Sequence, residues 1–101
     1  MIKKDKIEEI YYKHGVSNQL KKLSEEIYEL QEAVKDFNSA RKLNKTMDSS
    51  YKEHIEEEFS DVILLLTQIK LVYNLDNDNL RKWFDFKLKR QIARDKLNVK
   101  K

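Results

Sequence analysis

The chain has 101 residues, 39% of them charged, with one Gly, no Pro, no Cys and a net charge of +3. That length suits one domain over residues 1–101 and excludes a two-domain enzyme. Without Cys there is no disulfide framework, thiolate metal site or thiol nucleophile, and so little Gly and Pro argues against hairpin-rich sheets, Rossmann folds and phosphate-cradling glycine loops. The expected fold is all-α, a bundle of about four helices. No apolar run reaches the ~18 residues of a membrane span, and MIKKDKIEEI lacks the apolar core of a secretory signal. The expected setting is therefore cytoplasmic, with no membrane partner.

Residues 4–13 are expected to form a first helix carrying Ile7, Ile10 and Tyr11. Gly15, the only glycine, is expected to end it in the left-handed conformation. Ser17 is the expected N-cap of the next helix. Leu20, Leu23, Ile27, Leu30 and Val34 recur at spacings of three and four, which predicts an amphipathic helix over about 18–37. Residues 38–49 lack an apolar stripe and read as a loop. Ser50 and Glu53 form a capping-box pattern before a third helix through Ile55, Phe59, Val62, Ile63, Leu66, Ile69 and Tyr73. Its Val62–Leu66 run, VILLL, is apolar on every side, more than one short chain can cover. Homo-oligomerisation, to a dimer or a tetramer of dimers, is expected for that reason. After a turn at 74–79, a fourth helix carries Leu80, Trp83, Phe84, Leu88 and Ile92, with Trp83 and Phe84 expected in the core or stacked on a base. Residues 81–101 hold nine basic and two acidic side chains, a net of +7, against −4 for residues 1–80.

Two acidic patterns fall on the central helices: Glu25-Glu26-Ile27-Tyr28-Glu29 and Glu58-Phe59-Ser60-Asp61. Acids three apart lie near one another on a helix face. At 100° per residue, Glu26 sits roughly 80° and Glu29 roughly 140° from the centre of their apolar stripe. Glu58 and Asp61 sit roughly 70° and 130° from theirs, with the same sense of rotation. If the two helices pack antiparallel, four carboxylates converge. Mutual repulsion then raises their pKa values unless a cation intervenes. An all-oxygen site favours Mg²⁺, or Mn²⁺ in its place, over Zn²⁺. The competing reading is a solvated acidic face that solubilises two helices.

The segments QLKKLSEEIYELQEAV (residues 19–34) and EEFSDVILLLTQ (residues 57–68) together resemble the MazG-like all-α nucleoside triphosphate pyrophosphohydrolases. In that family an E-E-x-x-E helix is followed by an E-x-x-D helix that runs into an apolar stretch. The 28 residues from Leu30 to Glu57 are toward the long end for such a gap. The short chain and the HG-x-x-x-Q-L lead-in, residues 14–20, are similar to stand-alone and phage-type members. The resemblance implies Mg²⁺ held by Glu26, Glu29, Glu58 and Asp61, with Glu25 helping to position water. It implies hydrolysis of a nucleoside triphosphate to the monophosphate and pyrophosphate, in nucleotide housecleaning or pool control. Lys87, Arg90 and Arg94, which share one face of the last helix, are the candidates to stabilise the pyrophosphate. Gln19 is the candidate for the base edge. His14 reads as a helix-end residue and His54 as a solvated one. Phosphoribosyl-ATP pyrophosphohydrolases share similar acidic patterns. A different reading remains: a non-enzymatic helical module whose basic last helix contacts nucleic acid or an acidic protein. The basic tail favours that reading, while the lack of a helix-turn-helix signature weighs against nucleic acid as the partner.

Overall fold

A computed structural model describes residues 4–42 and 49–99. Four helices follow in order: α1 (Lys4–His14), α2 (Val16–Lys42), α3 (Ser49–Val72) and α4 (Asn77–Val99), with no strand among the described residues. No described helix is long and apolar enough to cross a membrane.

Gly15 ends α1 with a φ of 86°, and its N–H donates to Tyr11 O at 3.1 Å. The carbonyl of Gly15 then accepts from Gln19 N at 3.0 Å, so this one residue both closes α1 and opens α2. Ser17 is consequently inside α2 and not its cap, which corrects the sequence expectation. Asn18 instead ties the two helices, its amide donating to His14 O at 2.9 Å. At the far end, α2 runs on to Lys42 through part of the expected loop, because buried Ala40 continues the contact face after Ala33. Residues 43–48 of that loop, and Lys100 and Lys101, lie outside the described residues. Helix α3 begins at Ser49, one residue before the expected capping-box serine. It ends at a turn where Asn74 takes a φ of 51°.

The largest packing surface joins α2 to α3, with α1 laid across both. Tyr11 anchors α1. It is 1% exposed, and its hydroxyl lies 3.0 Å from that of Tyr73 at the end of α3. That hydrogen bond, followed by burial, pushes the Tyr11 phenol up to about 12. We expect Tyr11→Phe to cost about 1 kcal/mol for the lost hydrogen bond, and Tyr11→Ala about 3–5 kcal/mol for the cavity as well. Urea melts followed by circular dichroism measure both.

The burial pattern departs from the apolar stripes. On α2 the residues turned inward are Gln19, Leu23, Glu26, Leu30, Ala33, Phe37 and Ala40, while Leu20, Ile27 and Val34 stay exposed. On α3 the buried positions are Glu58, Val62, Leu65 and Gln68, while Phe59, Ile63 and Leu66 stay exposed. At 100° per residue both helices are turned by roughly 70–80° from their stripe centres, toward the acids. The α2–α3 seam is therefore part polar, and a second, apolar face is left uncovered beside it. Only Val62 and Leu65 of the VILLL run are buried within the chain.

Helix α4 makes no packing contact with α1, α2 or α3 among the described residues. Trp83 and Phe84 are 61% and 67% exposed, so the expectation that they belong to the core is corrected.

Candidate metal centre and adjoining cavity

Antiparallel packing of α2 and α3 brings Gln19 opposite Gln68 and, two turns along, Glu26 opposite Glu58 and Asp61. One carboxylate oxygen from each of Glu26, Glu58 and Asp61 lies within 4.8 Å of the others. Glu58 is buried and the other two are half-buried. The Oε2 atoms of Glu26 and Glu58 are both buried without a hydrogen-bond partner. Two orphaned carboxylate oxygens in one helix seam are strongly unfavourable unless something compensates them.

Electrostatics reflect that conflict. Burial first, then the charges of Glu29, Asp61 and Glu58, raise Glu26 above its ordinary value, and Lys22 pulls the other way. Burial first, then the charge and hydrogen-bonding carboxyl of Glu29, and then Asp61, raise Glu58. His54 opposes this from one turn earlier on α3, its Nε2 3.5 Å from Glu58 Oε1. In the folded state both carboxyls hold protons more tightly than when unfolded. Their contribution to stability is complete below pH 4.5, their ordinary value, and is lost as pH rises through the folded values. In metal-free buffer we expect the melting temperature of the wild type, taken relative to a Glu26→Gln/Glu58→Gln double variant, to fall as pH rises from 4.5. A constant difference between the two across that range would contradict the assignment.

Of the expected ligands, three converge and the fourth, Glu29, is at the rim. It is exposed but close enough to act on both Glu26 and Glu58. Glu25 is not brought into the cluster. It lies exposed along a shallow cleft shared with Ser24, Tyr28 and Glu29. Lys87, Arg90 and Arg94 are exposed on α4, away from the acids of their own chain. Arg90 covers the Phe86 ring at 5.5 Å. Gln19 is buried, not at the surface, and its Nε2 donates to Gln68 Oε1 at 2.8 Å. His14 lines the cavity described next.

A cavity of about 510 Å³ opens beside the cluster, within the range of small-molecule sites. Glu26 and Asp61 stand on its wall, Gln19 and Gln68 mark its other end, and Ile10, Leu64 and Leu65 supply apolar lining. Lys22, Asn18 and His14 add polar groups from α1 and the start of α2. Gln68 and the cavity itself had no counterpart in the sequence expectations. A signal was present, though. Gln19 precedes Glu26 by seven residues and Gln68 follows Asp61 by seven. In an antiparallel pair, those equal offsets face each other.

The donor set fits a small hard cation: oxygen-only, three carboxylates, two orphaned oxygens and an adjacent cavity open to further ligands. Comparison of the chain with protein families, curated proteins and solved structures finds no match.

Proposed function

We propose that this protein is a Mg²⁺-dependent nucleoside triphosphate pyrophosphohydrolase of the MazG-like type, releasing pyrophosphate and a nucleoside monophosphate. The observation that carries this reading is the pair of orphaned carboxylate oxygens, Glu26 Oε2 and Glu58 Oε2, in an acidic cluster whose Glu26 and Asp61 line a ligand-sized cavity. Glu26, Glu58 and Asp61 would hold the ion, with Glu29 joining from the rim. An Mg²⁺ ion held by these residues would supply charge neutralisation for phosphate oxygens and activation of water, with Mn²⁺ able to replace it. The chain itself keeps the carboxylates close together before the ion arrives, which removes reorganisation from the reaction. Lys22, on the cavity wall one turn before Glu26, offers a positive charge toward an entering polyphosphate. Glu25, exposed on the outer side, can act on water only from the rim.

The reading includes a homodimer or a tetramer of dimers. A 23-residue helix with no packing contact to the other described helices has little to stabilise it. Helices α2 and α3 leave Leu20, Ile27, Val34, Phe59, Ile63 and Leu66 exposed beside the acidic seam. Helix α4 carries exposed Leu80, Trp83, Phe84 and Leu88 together with an excess of basic over acidic side chains, seven against three. Apolar and charge complementarity both pair the α4 of one copy with the α2–α3 face of another. That arrangement brings Lys87, Arg90 and Arg94 of one copy toward the acids of the next, where they stabilise the departing pyrophosphate.

A pyrophosphate-release assay over canonical and deoxy triphosphates tests the activity. Release is expected with Mg²⁺ or Mn²⁺ and is abolished by EDTA. Failure to cleave any triphosphate with either ion would reject the reading. The exposure of α4 favours one alternative, a non-enzymatic module whose basic helix grips nucleic acid or an acidic protein. That alternative predicts salt-sensitive nucleic-acid binding that survives loss of all three seam acids.

A further inference from the structure

The hydrogen-bonded amides of Gln19 and Gln68 lie at the end of the cavity away from the acids. They are 7% and 3% exposed. Buried polar side chains are usually fully paired, yet this pair uses only one donor and one acceptor on each other, at 2.8 Å. Both residues line the cavity, and neither Gln19 Oε1 nor Gln68 Nε2 is buried without a partner, as expected if these second amide atoms face it. Each amide is seven residues from a carboxylate of the seam, roughly 10 Å along the helices. A nucleoside 5′-phosphate spans such a length from its α-phosphorus to the outer edge of its base.

We propose that Gln19 and Gln68 form an adaptable reader of the exocyclic group of a nucleobase whose phosphates lie at the acidic end. This rests on the pyrophosphohydrolase reading for the orientation of the ligand. The chemistry follows from the amide inventory. With Gln19 donating to Gln68, the pair shows the cavity an acceptor on Gln19 and a donor on Gln68. Turning both amides over reverses the bond and exchanges the two, at no loss of hydrogen bonding. An exocyclic keto oxygen, as in uracil, finds a donor in either state. An exocyclic amino group, as in cytosine, finds an acceptor in either state. The pair therefore tolerates both kinds of base. A fixed donor or acceptor would reject one of them, because a buried polar group left unpaired is costly.

Replacing one amide by a carboxylate removes that freedom. In Gln68→Glu, the Gln19 amide donates to the new carboxylate, and both atoms left facing the cavity are acceptors. Two acceptors suit the two N–H groups of an amino substituent and repel a keto oxygen. The probes are the α,β-methylene analogues of dCTP and dUTP, and inorganic tripolyphosphate, titrated calorimetrically with Mg²⁺ against the full chain. The wild type is expected to bind the two nucleotide analogues within about tenfold of each other, and Gln68→Glu to shift their affinity ratio toward cytosine by about tenfold or more. Gln68→Leu should weaken both analogues alike. Tripolyphosphate, which has no base, should bind all variants equally. If Gln68→Glu does not fold, Gln19→Glu carries the same test, because it also leaves two acceptors.

An unchanged cytosine-to-uracil ratio in the folded variant overturns the proposal. So does a fall in tripolyphosphate affinity that matches the fall in nucleotide affinity, which would mean that the amides only hold the helices together. The two readings fail separately. Base-dependent binding without hydrolysis sinks the hydrolase and leaves the reader standing, whereas hydrolysis with an unshifted ratio does the reverse.

Discussion

Glu58→Gln is expected to melt at a higher temperature than the wild type in metal-free buffer and to lose pyrophosphate release by a hundredfold or more. The two effects share one cause. Glu58 is buried, its Oε2 has no hydrogen-bond partner, and Glu26, Glu29 and Asp61 surround it with like charge. An amide of the same shape removes the charge at the centre of that conflict, and its N–H₂ can donate to a neighbouring carboxylate. Relief of a buried, uncompensated carboxylate is worth about 1–3 kcal/mol. The activity falls because a neutral amide is a poor ligand for a hard divalent ion. Differential scanning calorimetry and the release assay read the two sides. In the wild type, added Mn²⁺ should raise the melting temperature; in Glu58→Gln it should not. A variant that melts lower without metal and still cleaves triphosphates would refute the assignment on both counts.

Two inactive variants mixed together are expected to regain activity. The first is Glu58→Gln. The second replaces Lys87, Arg90 and Arg94 by Ala. If α4 acts on a neighbouring copy, a dimer of unlike chains contains one site with both parts intact and one with both parts lost. Random reassociation of equal amounts then restores roughly a quarter of the wild-type rate, as expected for two equivalent sites related by a twofold axis. If α4 served its own chain, no mixture would exceed the sum of its parts. Light scattering at micromolar concentration gives the companion measurement. A monomer would leave the exposed faces of α2, α3 and α4 without the covering proposed for them.

Periodicity made the helices and their order legible. Gly15 marked the α1–α2 junction, and the two acidic motifs fall on the two helices that pack most closely. The facing was harder to read. Hydrophobic stripes report the total burial a helix expects, from its own chain and from other copies. Leu20, Leu23, Ile27, Leu30 and Val34 look like one face, yet only Leu23 and Leu30 turn toward α3 within the chain. The acids enter the seam because the remaining apolar positions are left facing outward. Trp83 and Phe84 misled in the same way, being apolar enough for a core that their own chain does not supply. Buried Ala40 lies beyond the expected end of α2, and a small side chain leaves no strong periodic signal. Gln68 went unnoticed because a glutamine in an apolar run reads as an interruption, until its partner across the seam is known.

The seam between α2 and α3 has a consequence for how long the molecule lasts. The surface that would receive ion and nucleotide is also the one that glues its two longest helices together. Cargo in such a place acts as a clasp, and an empty seam leaves anionic groups pushing the rods apart. If the proposed ion and triphosphate bind there, resistance to proteases should rise with the concentration of each.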